Sequence, residues 1–340
     1  MRQQVTSVEL AKIAGVSQST ISRVLNDSPL IPEKTKRHVR KIAREYGFVL
    51  NSQAQSLKTN KTGTIGILFP RYFTSMIANT FFAHLYDHLS KTLMEYDYDI
   101  MILYNNDINS KMSYFEQTIQ KRKIDGFIIL KPDITKREHF VLVKNNVPYV
   151  SIFKQNSQLV DINTFTINSH EGGILAGKFF GQKQGARKIY LGLKDTSIDN
   201  TPRVNGFLQG MQQVGCTEVP VILEEEMSVS GGYSAIMRNR KLFDRHNCIY
   251  VYNDMMALGA INALLMLALK IPEQVEVIGT DDIPMATQFH PTLSTLKGPV
   301  TLMIREACAT LVRLINKEHI SGIKKEYSPV LVHRETTILE

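Results

Sequence analysis

The chain has 340 residues, of which 43% are hydrophobic, and a formal net charge of +8. This length predicts two or three domains with well-packed cores. The three cysteines lie far apart without a CxxC pair, which argues against a zinc site or a disulfide framework, and no apolar run is long enough to span a membrane. The polar N-terminus lacks the apolar segment of a secretory signal, so the composition favours a protein of the reducing cytoplasm.

The positive charge is concentrated at the N-terminus. Residues 1–62 hold 11 Lys and Arg against 4 Asp and Glu, whereas residues 63–340 hold 29 against 28. A basic segment joined to a nearly neutral one is typical of a phosphate-binding module attached to a domain with another task.

Residues 10–26, with the sequence LAKIAGVSQSTISRVLN, predict two short helices joined by a tight turn. Ala11 is small enough for a close helix crossing, Gly15 suits a turn with positive φ, and Ile21 anchors the second helix. Ser17 is placed to cap that helix. Because the outward positions are polar and able to bond base edges, the pattern favours a helix-turn-helix over an ordinary helical hairpin. These outward residues are Gln18, Ser19, Ser22 and Arg23.

A third helix is predicted to begin at Pro32 and Glu33 and to end near Gly47, which completes a head over residues 1–50. Its basic residues either contact the DNA backbone or form a solvated face. They are Lys34, Lys36, Arg37, Arg40, Lys41 and Arg44. The segment NSQAQSL at 51–57 then predicts a helix of about two turns, too short to be stable alone. The polar KTNKT at 58–62 marks the domain boundary.

From residue 63 onwards, strands alternate with helices in two successive sets. The predicted strands are 65–69, 98–104, 126–130 and 147–153, followed by 188–193, 219–223, 248–252 and 275–279. Helices are predicted at 81–96, 111–123, 203–214, 232–240, 255–268 and 301–315. This alternation predicts parallel sheets with right-handed crossovers, and the two sets predict two similar α/β lobes.

Five motifs resemble those of the LacI/GalR family of bacterial transcriptional regulators, in the family's order. The first covers Thr6, Ala11, 14–17 and 20–26; the others are TGTIG at 62–66, NDMMALGA at 253–260, GTDDIP at 279–284 and HPTLST at 290–295. The resemblance implies an all-α helix-turn-helix head, a hinge helix and linker at 51–62 that folds on the operator, and a two-lobed domain over 63–340 like the periplasmic binding proteins. Lobe one is expected at about 63–162 and 294–326, and lobe two at about 163–291 and 327–340, with three crossings between them.

For function, the resemblance implies a sequence-specific repressor of a carbohydrate-utilisation operon. A homodimer is expected to bind a pseudo-palindromic double-stranded operator. Leu57 corresponds to the family's lever leucine, which wedges into the central minor-groove step and kinks the duplex. Leu50 and Gln55 depart from the family's usual proline and arginine in this segment. The DNA-contacting residues that the resemblance implies are Thr6, Ser17, Gln18, Ser19, Thr20, Ser22, Arg23, Asn26, Ala54, Leu57 and Lys58.

The resemblance also places a small-molecule effector between the lobes. The implied contacts are Phe81, Phe153, Arg203, Asn253 and Asp281, whereas Asp282 is expected to be structural. A sugar is the family's usual effector. Phe153 stands where the family often has an acid. Lys154, together with Arg71 and Arg203, leaves a sugar phosphate or another anion open.

Other function classes fit less well. No GxSxG, P-loop, HExxH or Rossmann glycine motif supports an enzyme, and no cofactor or metal is expected. His84 and His88 have the spacing of metal ligands, but no third ligand is evident. A solute-binding transport protein is opposed by the basic head. A regulator with a protein corepressor remains open, as does the choice between induction and corepression.

Overall fold

A computed structural model of the chain describes residues 5–25, 28–48, 61–70, 80–104, 113–131, 134–155, 161–193, 200–218 and 220–339. The chain divides between Gly63 and Thr64 into two compact units, which we call the head and the body. The predicted hinge helix, with Ala54, Leu57 and Lys58, lies outside the described residues, as does Asn26. No helix in these described ranges is both long and apolar enough to cross a bilayer.

The head contains the three predicted helices, α1 (Ser7–Ile13), α2 (Gln18–Leu25) and α3 (Glu33–Glu45). Gly15 takes a φ of +64° in the turn between α1 and α2, a conformation that is cheap only without a Cβ. The small core between the helices is apolar throughout. It is formed by Leu10, Ala11, Ala14, Ile21, Val24, Val39 and Ala43.

The body contains two sheets of six strands each. The first sheet comprises β1 (Thr64–Phe69), β2 (Asp99–Tyr104), β3 (Gly126–Ile129), β4 (Tyr149–Ser151), β5 (Thr164–Ile167) and β11 (Lys324–Tyr327). Its order is β11-β5-β4-β3-β1-β2, and every pairing is parallel. The helices α4 (Thr80–Met94), α5 (Tyr114–Gln120), α6 (Lys136–Lys144) and α11 (Val300–Ile315) accompany it. Sheet and helices form the first lobe.

The second lobe is built on β6 (Arg187–Leu193), β7 (Val221–Glu225), β8 (Asn247–Val251), β9 (Val275–Thr280), β10 (Ser294–Lys297) and β12 (Val330–Val332). The order is β12-β10-β9-β8-β6-β7, with only β12 antiparallel. Its helices are α7 (Ser169–Gly181), α8 (Asn200–Gln213), α9 (Val229–Arg238) and α10 (Asp254–Met266). Two short 3₁₀ turns, Arg240–Leu242 and Pro284–Thr287, connect these elements.

The chain passes between the two sheets three times: after β5, after β10 and after β11. The expected lobe limits are wrong for two strands. Thr164–Ile167 pairs with β4 and β11 in the first sheet, although the expected limits place it in lobe two. Ser294–Lys297 pairs with β9 and β12 in the second sheet, although the expected limits place it in lobe one. Both strands lie next to a crossing, where apolar patterning is the same for either sheet.

Candidate DNA-reading face and ligand cleft

Helix α2 buries one side in the head and exposes the other. Ile21 and Val24 are fully buried, so the predicted reading residues Gln18, Ser19 and Arg23 stand exposed on the opposite side. Exposed amide, hydroxyl and guanidinium groups on one helix face are the groups that bond base edges in a major groove.

Hydrogen bonds at the start of α2 hold this face in place. Ser17 Oγ accepts from the Thr20 amide at 3.1 Å, which is the predicted cap, and lies 2.8 Å from the hydroxyls of Ser19 and Thr20. Gln18 Nε2 donates to Ser7 Oγ at 2.9 Å, which ties α2 to the start of α1. Thr20 is only half-exposed, so the outermost polar groups of α2 are those of Gln18, Ser19 and Arg23.

Thr6 begins α1 through a reciprocal capping box. The Glu9 amide donates to Thr6 Oγ1 at 3.3 Å, and the Thr6 amide donates to Glu9 Oε2 at 2.7 Å. The Thr6 backbone and hydroxyl hydrogen bonds lower the pKa of Glu9. Thr6 is exposed, so the cap leaves its hydroxyl at the surface where a phosphate contact is expected. Ser22, by contrast, is half-buried on α2.

Helix α3 carries a basic face on the outside of the head. Arg37, Arg40, Lys41 and Arg44 surround one shallow depression together with Glu45. Lys36 does not belong to this face, because its side chain is buried and its ammonium lies 3.1 Å from Glu33. We call Arg37, Arg40, Lys41 and Arg44 the α3 basic face.

The ligand cleft in the body lies where all three crossings meet. Its lining includes Asn168 from the first crossing, Gly298 from the second and Pro329 from the third. The remaining lining comes from the carboxyl ends of strands in both sheets, from α4 and α11, and from the start of α7 and α8. This is the position at which open α/β folds bind ligands.

One wall of the cleft is aromatic. The ring centroids of Phe81 and Phe153 are 6.3 Å apart, and Phe82 lies 5.6 Å and 6.1 Å from them. Phe81 packs against the core of the first lobe and also against the core of the second. The two predicted effector residues Phe81 and Phe153 therefore line the cleft together.

Arg203 reaches the cleft from α8 and is 7% exposed. Its Nη1 donates to the Tyr252 carbonyl, and the guanidinium lies over the Tyr252 ring at 4.5 Å. Its Nε is buried and has no hydrogen-bond partner. Burial raises the pKa of the neighbouring Tyr250, so that hydroxyl stays protonated. The cleft thus contains a desolvated cation with an unused donor.

Direct contact between α7 and α8 sets the position of Arg203. A Cβ on Gly173 would lie 2.2 Å from the Arg203 carbonyl oxygen, and one on Gly206 would lie 2.0 Å from the His170 carbonyl oxygen. The two helices therefore touch backbone to backbone, without intervening side chains. This contact holds Arg203 against the start of α7, where Asn168 and Ser169 line the cleft.

Asp281 lines the cleft from a strained loop after β9. Its φ is +114° and that of Asp282 is +53°, values that L-residues seldom adopt. Asp254 supports the loop from beneath by accepting from the Ile283 amide at 3.0 Å and from Thr295 Oγ1 at 2.6 Å. Burial, followed by the charge of Asp281, raises the pKa of Asp254.

Asp282 points away from the cleft into ion pairs with Lys297, at 2.9 Å, and Arg334. Asn253 also takes a structural position, because its Oδ1 accepts from the Met256 amide at 2.9 Å and caps α10. It is absent from the cleft lining, unlike the other four predicted effector residues. Sequence reasoning missed Thr166, Asn168 and Tyr250, although their places at or near the carboxyl ends of β5 and β8 are a recognisable signal.

A second, polar pocket adjoins the cleft and shares four residues with it: Thr166, Ile167, Asn168 and Ser169. Lys154, His170 and Glu326 line its outer part. The Lys154 ammonium lies 3.1 Å from Glu326, and both side chains are about half-exposed. The charges of this pocket are therefore balanced within the protein.

His246, Cys248 and Glu276 bring metal-binding atoms within 4.8 Å of one another at the amino end of the second sheet. Their surroundings favour a structural network instead. The Lys183 ammonium lies 3.7 Å from Glu276 Oε1, and the Ile338 amide donates to Oε2 at 2.9 Å. Burial raises the pKa of Cys248, which disfavours the thiolate that a metal requires.

Known proteins match both units. Residues 8–51 match the model of bacterial regulatory proteins of the lacI family, and residues 181–337 match a periplasmic binding protein-like domain. The probable HTH-type transcriptional repressor ExuR of Bacillus subtilis strain 168 is 30% identical over 332 residues, or 94% of each chain.

Two solved structures share the fold over almost the whole chain. The lac repressor dimer bound to operator and the anti-inducer ONPF has a TM-score of 0.79 at 20% identity, over 99% of this chain and 100% of that one. A complex of the transcriptional regulator CelR with cellobiose has a TM-score of 0.72 at 21% identity, over 98% and 99%. The matched head, the full-length relative and the shared fold show that this chain belongs to the LacI family of bacterial regulatory proteins, whose members are DNA-binding transcriptional regulators rather than enzymes.

Proposed function

We propose that this repressor controls a carbohydrate-utilisation operon and responds to a sugar or sugar derivative bound in the cleft. The cleft carries the proposal, because it joins an aromatic wall to two charged groups, Arg203 and Asp281, at the meeting point of the three crossings. Aromatic faces pack on sugar rings, and charged groups bond their hydroxyls. The structure of CelR in complex with cellobiose supports a sugar as a ligand of this fold.

On DNA, we assign base reading to Gln18, Ser19 and Arg23 and orientation to phosphate contacts around them. Arg23 suits a guanine, which presents two acceptors to a guanidinium. Thr6, Ser17, Thr20 and Ser22 are assigned to the surrounding backbone contacts, and the resemblance adds Asn26, Ala54, Leu57 and Lys58. One head covers one half-site, so a homodimer is expected on a pseudo-palindromic operator. The operator-bound lac repressor dimer supports this arrangement.

Control follows from the position of the cleft. A ligand that contacts both lobes and the crossings favours one relative arrangement of the lobes. In a dimer that arrangement sets the spacing of the two hinge segments, and hence operator affinity. Such coupling amounts to about 1–3 kcal/mol in typical allosteric proteins.

Footprinting on the DNA upstream of the chain's own gene tests this function. The full-length protein should protect a symmetric site at moderate salt, and a sugar or sugar derivative should change the protection. Arg23→Gln should reduce the difference in binding free energy between this site and random DNA by about 1–3 kcal/mol. Lys12→Gln, which removes a cation from α1 and leaves α2 intact, is the control. If the wild-type protein protected no site, either in the DNA upstream of its own gene or in genomic fragments, the repressor assignment would be wrong.

A further inference from the structure

We infer that the body itself contacts operator DNA, through a cationic turn of the first lobe formed by Lys121, Arg122 and Lys123. The inference rests on the proposed function, since it takes the operator to be the partner. It adds a phosphate-binding surface that lies outside both the head and the ligand cleft.

The cationic turn concentrates positive charge in a body that carries almost none. Residues 63–340 hold 29 Lys and Arg against 28 Asp and Glu, yet residues 121–123 form the only run of three consecutive basic residues in the chain. All three are exposed. Among the residues that the structure describes, none of the three forms an ion pair, whereas Lys91, Arg137 and Lys154 of the same lobe each lie within 3.1 Å of a carboxylate. The charge of the turn is therefore not neutralised by the described protein.

The end of α5 holds the turn in a fixed shape. The Arg122 amide donates to the Ile119 carbonyl at 3.0 Å, and the Lys123 amide donates to the Thr118 carbonyl at 3.1 Å. These two bonds form a Schellman motif, in which the residue after the helix takes a positive φ, here +48° at Arg122. Glycine is the usual residue at such a position, and packing does not explain an arginine there, because its side chain is exposed. The three cations are thus presented together on an ordered turn.

The turn lies beside the point at which the chain enters the body. Thr64 is the first residue of the body, and its carbonyl accepts from the Asp125 amide at 2.8 Å. Gly126 follows directly as the first residue of β3, which pairs with β1. Every pairing in the first sheet is parallel, so the amino ends of its strands share one edge. The cationic turn and the entry point lie together on that edge.

This edge is the end of the body that faces away from the ligand cleft on the side of the first lobe. The carboxyl ends of strands in both sheets line the cleft. The amino edges of the two sheets therefore lie at opposite ends of the body. The chain arrives from the head at the first of these ends, and the second is the far end.

The segment that connects the head to the body keeps bound DNA close to the turn. The proposed DNA contacts end at Lys58, six residues before Thr64. Six residues span at most about 22 Å, so Thr64 lies within that distance of the DNA in the complex. The operator backbone is a dense row of negative charges within this reach. The cationic turn is therefore complementary to a partner that is already held beside it.

Fluorescence anisotropy over a salt series tests the inference, with the full-length protein and the site that it protects upstream of its own gene. The variant Lys121→Gln, Arg122→Asn, Lys123→Gln removes the three charges, and asparagine suits the positive φ at residue 122. Near physiological salt, operator affinity should fall roughly 5-fold for each phosphate contact that is lost, and the slope of log K against log salt should fall by about 0.9 for each. Lys123→Gln alone, which leaves the residue with positive φ unchanged, should show the effect of one contact.

The matched control removes the same charge from the far end of the body. Arg240, Lys241 and Arg245 are exposed and precede β8, at the amino edge of the second sheet. Salt screens attraction between exposed charges beyond about 8 Å at physiological ionic strength. Replacing all three with Gln should therefore leave operator affinity and the salt slope unchanged. An equal fall in this control would show that net charge alone acts, and would overturn the inference.

Neutral methylphosphonates in the operator distinguish direct contact from attraction at a distance. Placed one at a time around the centre of the site, they should weaken binding of the wild type at certain positions and barely affect the variant of the cationic turn at those same positions. Additive effects of the protein and DNA changes at every position would overturn the inference, and so would a salt slope of the variant equal to that of the wild type. Failure of the proposed function is separate, because the wild-type protein would then protect no site.

Discussion

Gly173 and its neighbour Gly172 face different surroundings on the same helix. A Cβ on Gly173 would lie 2.2 Å from the Arg203 carbonyl oxygen and 2.7 Å from the Phe207 amide nitrogen. A Cβ on Gly172 would lie 3.3 Å from a Leu296 methyl and 3.4 Å from a Pro329 ring carbon. Backbone atoms cannot move without the helix that carries them, whereas side-chain atoms can give by a few tenths of an ångström. The first glycine is therefore required by the position of Arg203, and the second is not.

Gly173→Ala should destabilise the body by about 1–3 kcal/mol, the usual cost of overpacking, because α7 and α8 must separate. It should also weaken binding of a ligand that contacts Arg203. Gly172→Ala should be nearly neutral, since a small steric cost is offset by the higher helix propensity of alanine. Urea unfolding of both variants measures the difference. Equal losses of stability would show that the two helices can shift freely.

Asp282 provides a prediction about pH. Burial disfavours its carboxylate, but the hydrogen bonds from Lys297 and Arg334 outweigh that effect and lower the pKa of Asp282. A lowered folded-state pKa means that the ionised group stabilises the fold at neutral pH and loses this contribution as pH falls through the folded pKa. Asp282→Asn should therefore reduce the unfolding midpoint at neutral pH. Below about pH 4, near the ordinary pKa of an Asp side chain, the variant should also lose less stability than the wild type does. Parallel curves for the two proteins would contradict this role.

At the scale of elements, two helices of the head carry separate tasks. Helix α2 has a single basic residue, Arg23, within a polar reading face. Helix α3 carries most of the head's basic residues. Four of them form the α3 basic face, which is separate from the reading face of α2. Phosphate contacts give affinity without sequence information, and base contacts give specificity. The division predicts that the two helices affect binding in different ways.

The triple variant Arg37→Gln, Lys41→Gln, Arg44→Gln should weaken specific and non-specific DNA binding by a similar factor. If the α3 basic face contacts or steers toward phosphates, the slope of log K against log salt should fall by about 0.9 for each phosphate that is no longer neutralised. Arg23→Gln is the matched comparison. It should reduce sequence specificity, and it should change the salt slope by no more than the loss of a single positive charge does. Fluorescence anisotropy over a salt series measures both quantities. An unchanged slope in the triple variant would show that the α3 basic face is solvated and does not contact phosphates.

At the scale of the whole body, the two lobes share contacts beside the cleft. Phe81 packs on both cores, and the Thr80 hydroxyl in the first lobe lies 3.0 Å from the Met255 sulfur in the second. A ligand between Phe81 and Arg203 therefore touches a side chain that both lobes already share. This arrangement suits a ligand that changes the relative orientation of the two lobes.

Thermodynamic linkage makes the resulting control reciprocal. Operator DNA should change the affinity for the effector by the same factor by which the effector changes operator affinity, typically about 5- to 150-fold. Titration of a sugar or sugar derivative that binds, with and without operator, measures the first factor, and anisotropy measures the second. Leu57→Ala, the hinge variant suggested by the family resemblance, should retain effector affinity without DNA and lose the coupling. Unequal factors for the wild type would show that more than these two ligands are linked.

Local features of the fold were predictable because neighbouring residues determine them. The Ser17 cap, the Gly15 turn and the core positions of α2 lie within a few residues of one another. Apolar periodicity does not predict the helices Lys136–Lys144 and Ser169–Gly181, but it predicts eight of the twelve described strands of the body and six of its eight described helices. Their predicted ends differ from the observed ones by only a few residues in most cases, as for the strand predicted at 275–279 and observed at Val275–Thr280. Alternation of strand and helix similarly indicates two parallel sheets.

Contacts between distant residues decided the rest. Thr164–Ile167 and Ser294–Lys297 join the sheets opposite to those expected, because strand pairing depends on partners up to 160 positions away. Asn253 and Arg203 both lie near the predicted cleft in sequence, yet one caps a helix and the other is a buried cation with an unused donor. A sequence determines which groups can bond or carry charge. Whether a carboxylate, a backbone amide or open space stands beside each of them depends on packing, and that packing is what places Arg203 in the cleft lining and Asn253 at the cap of α10.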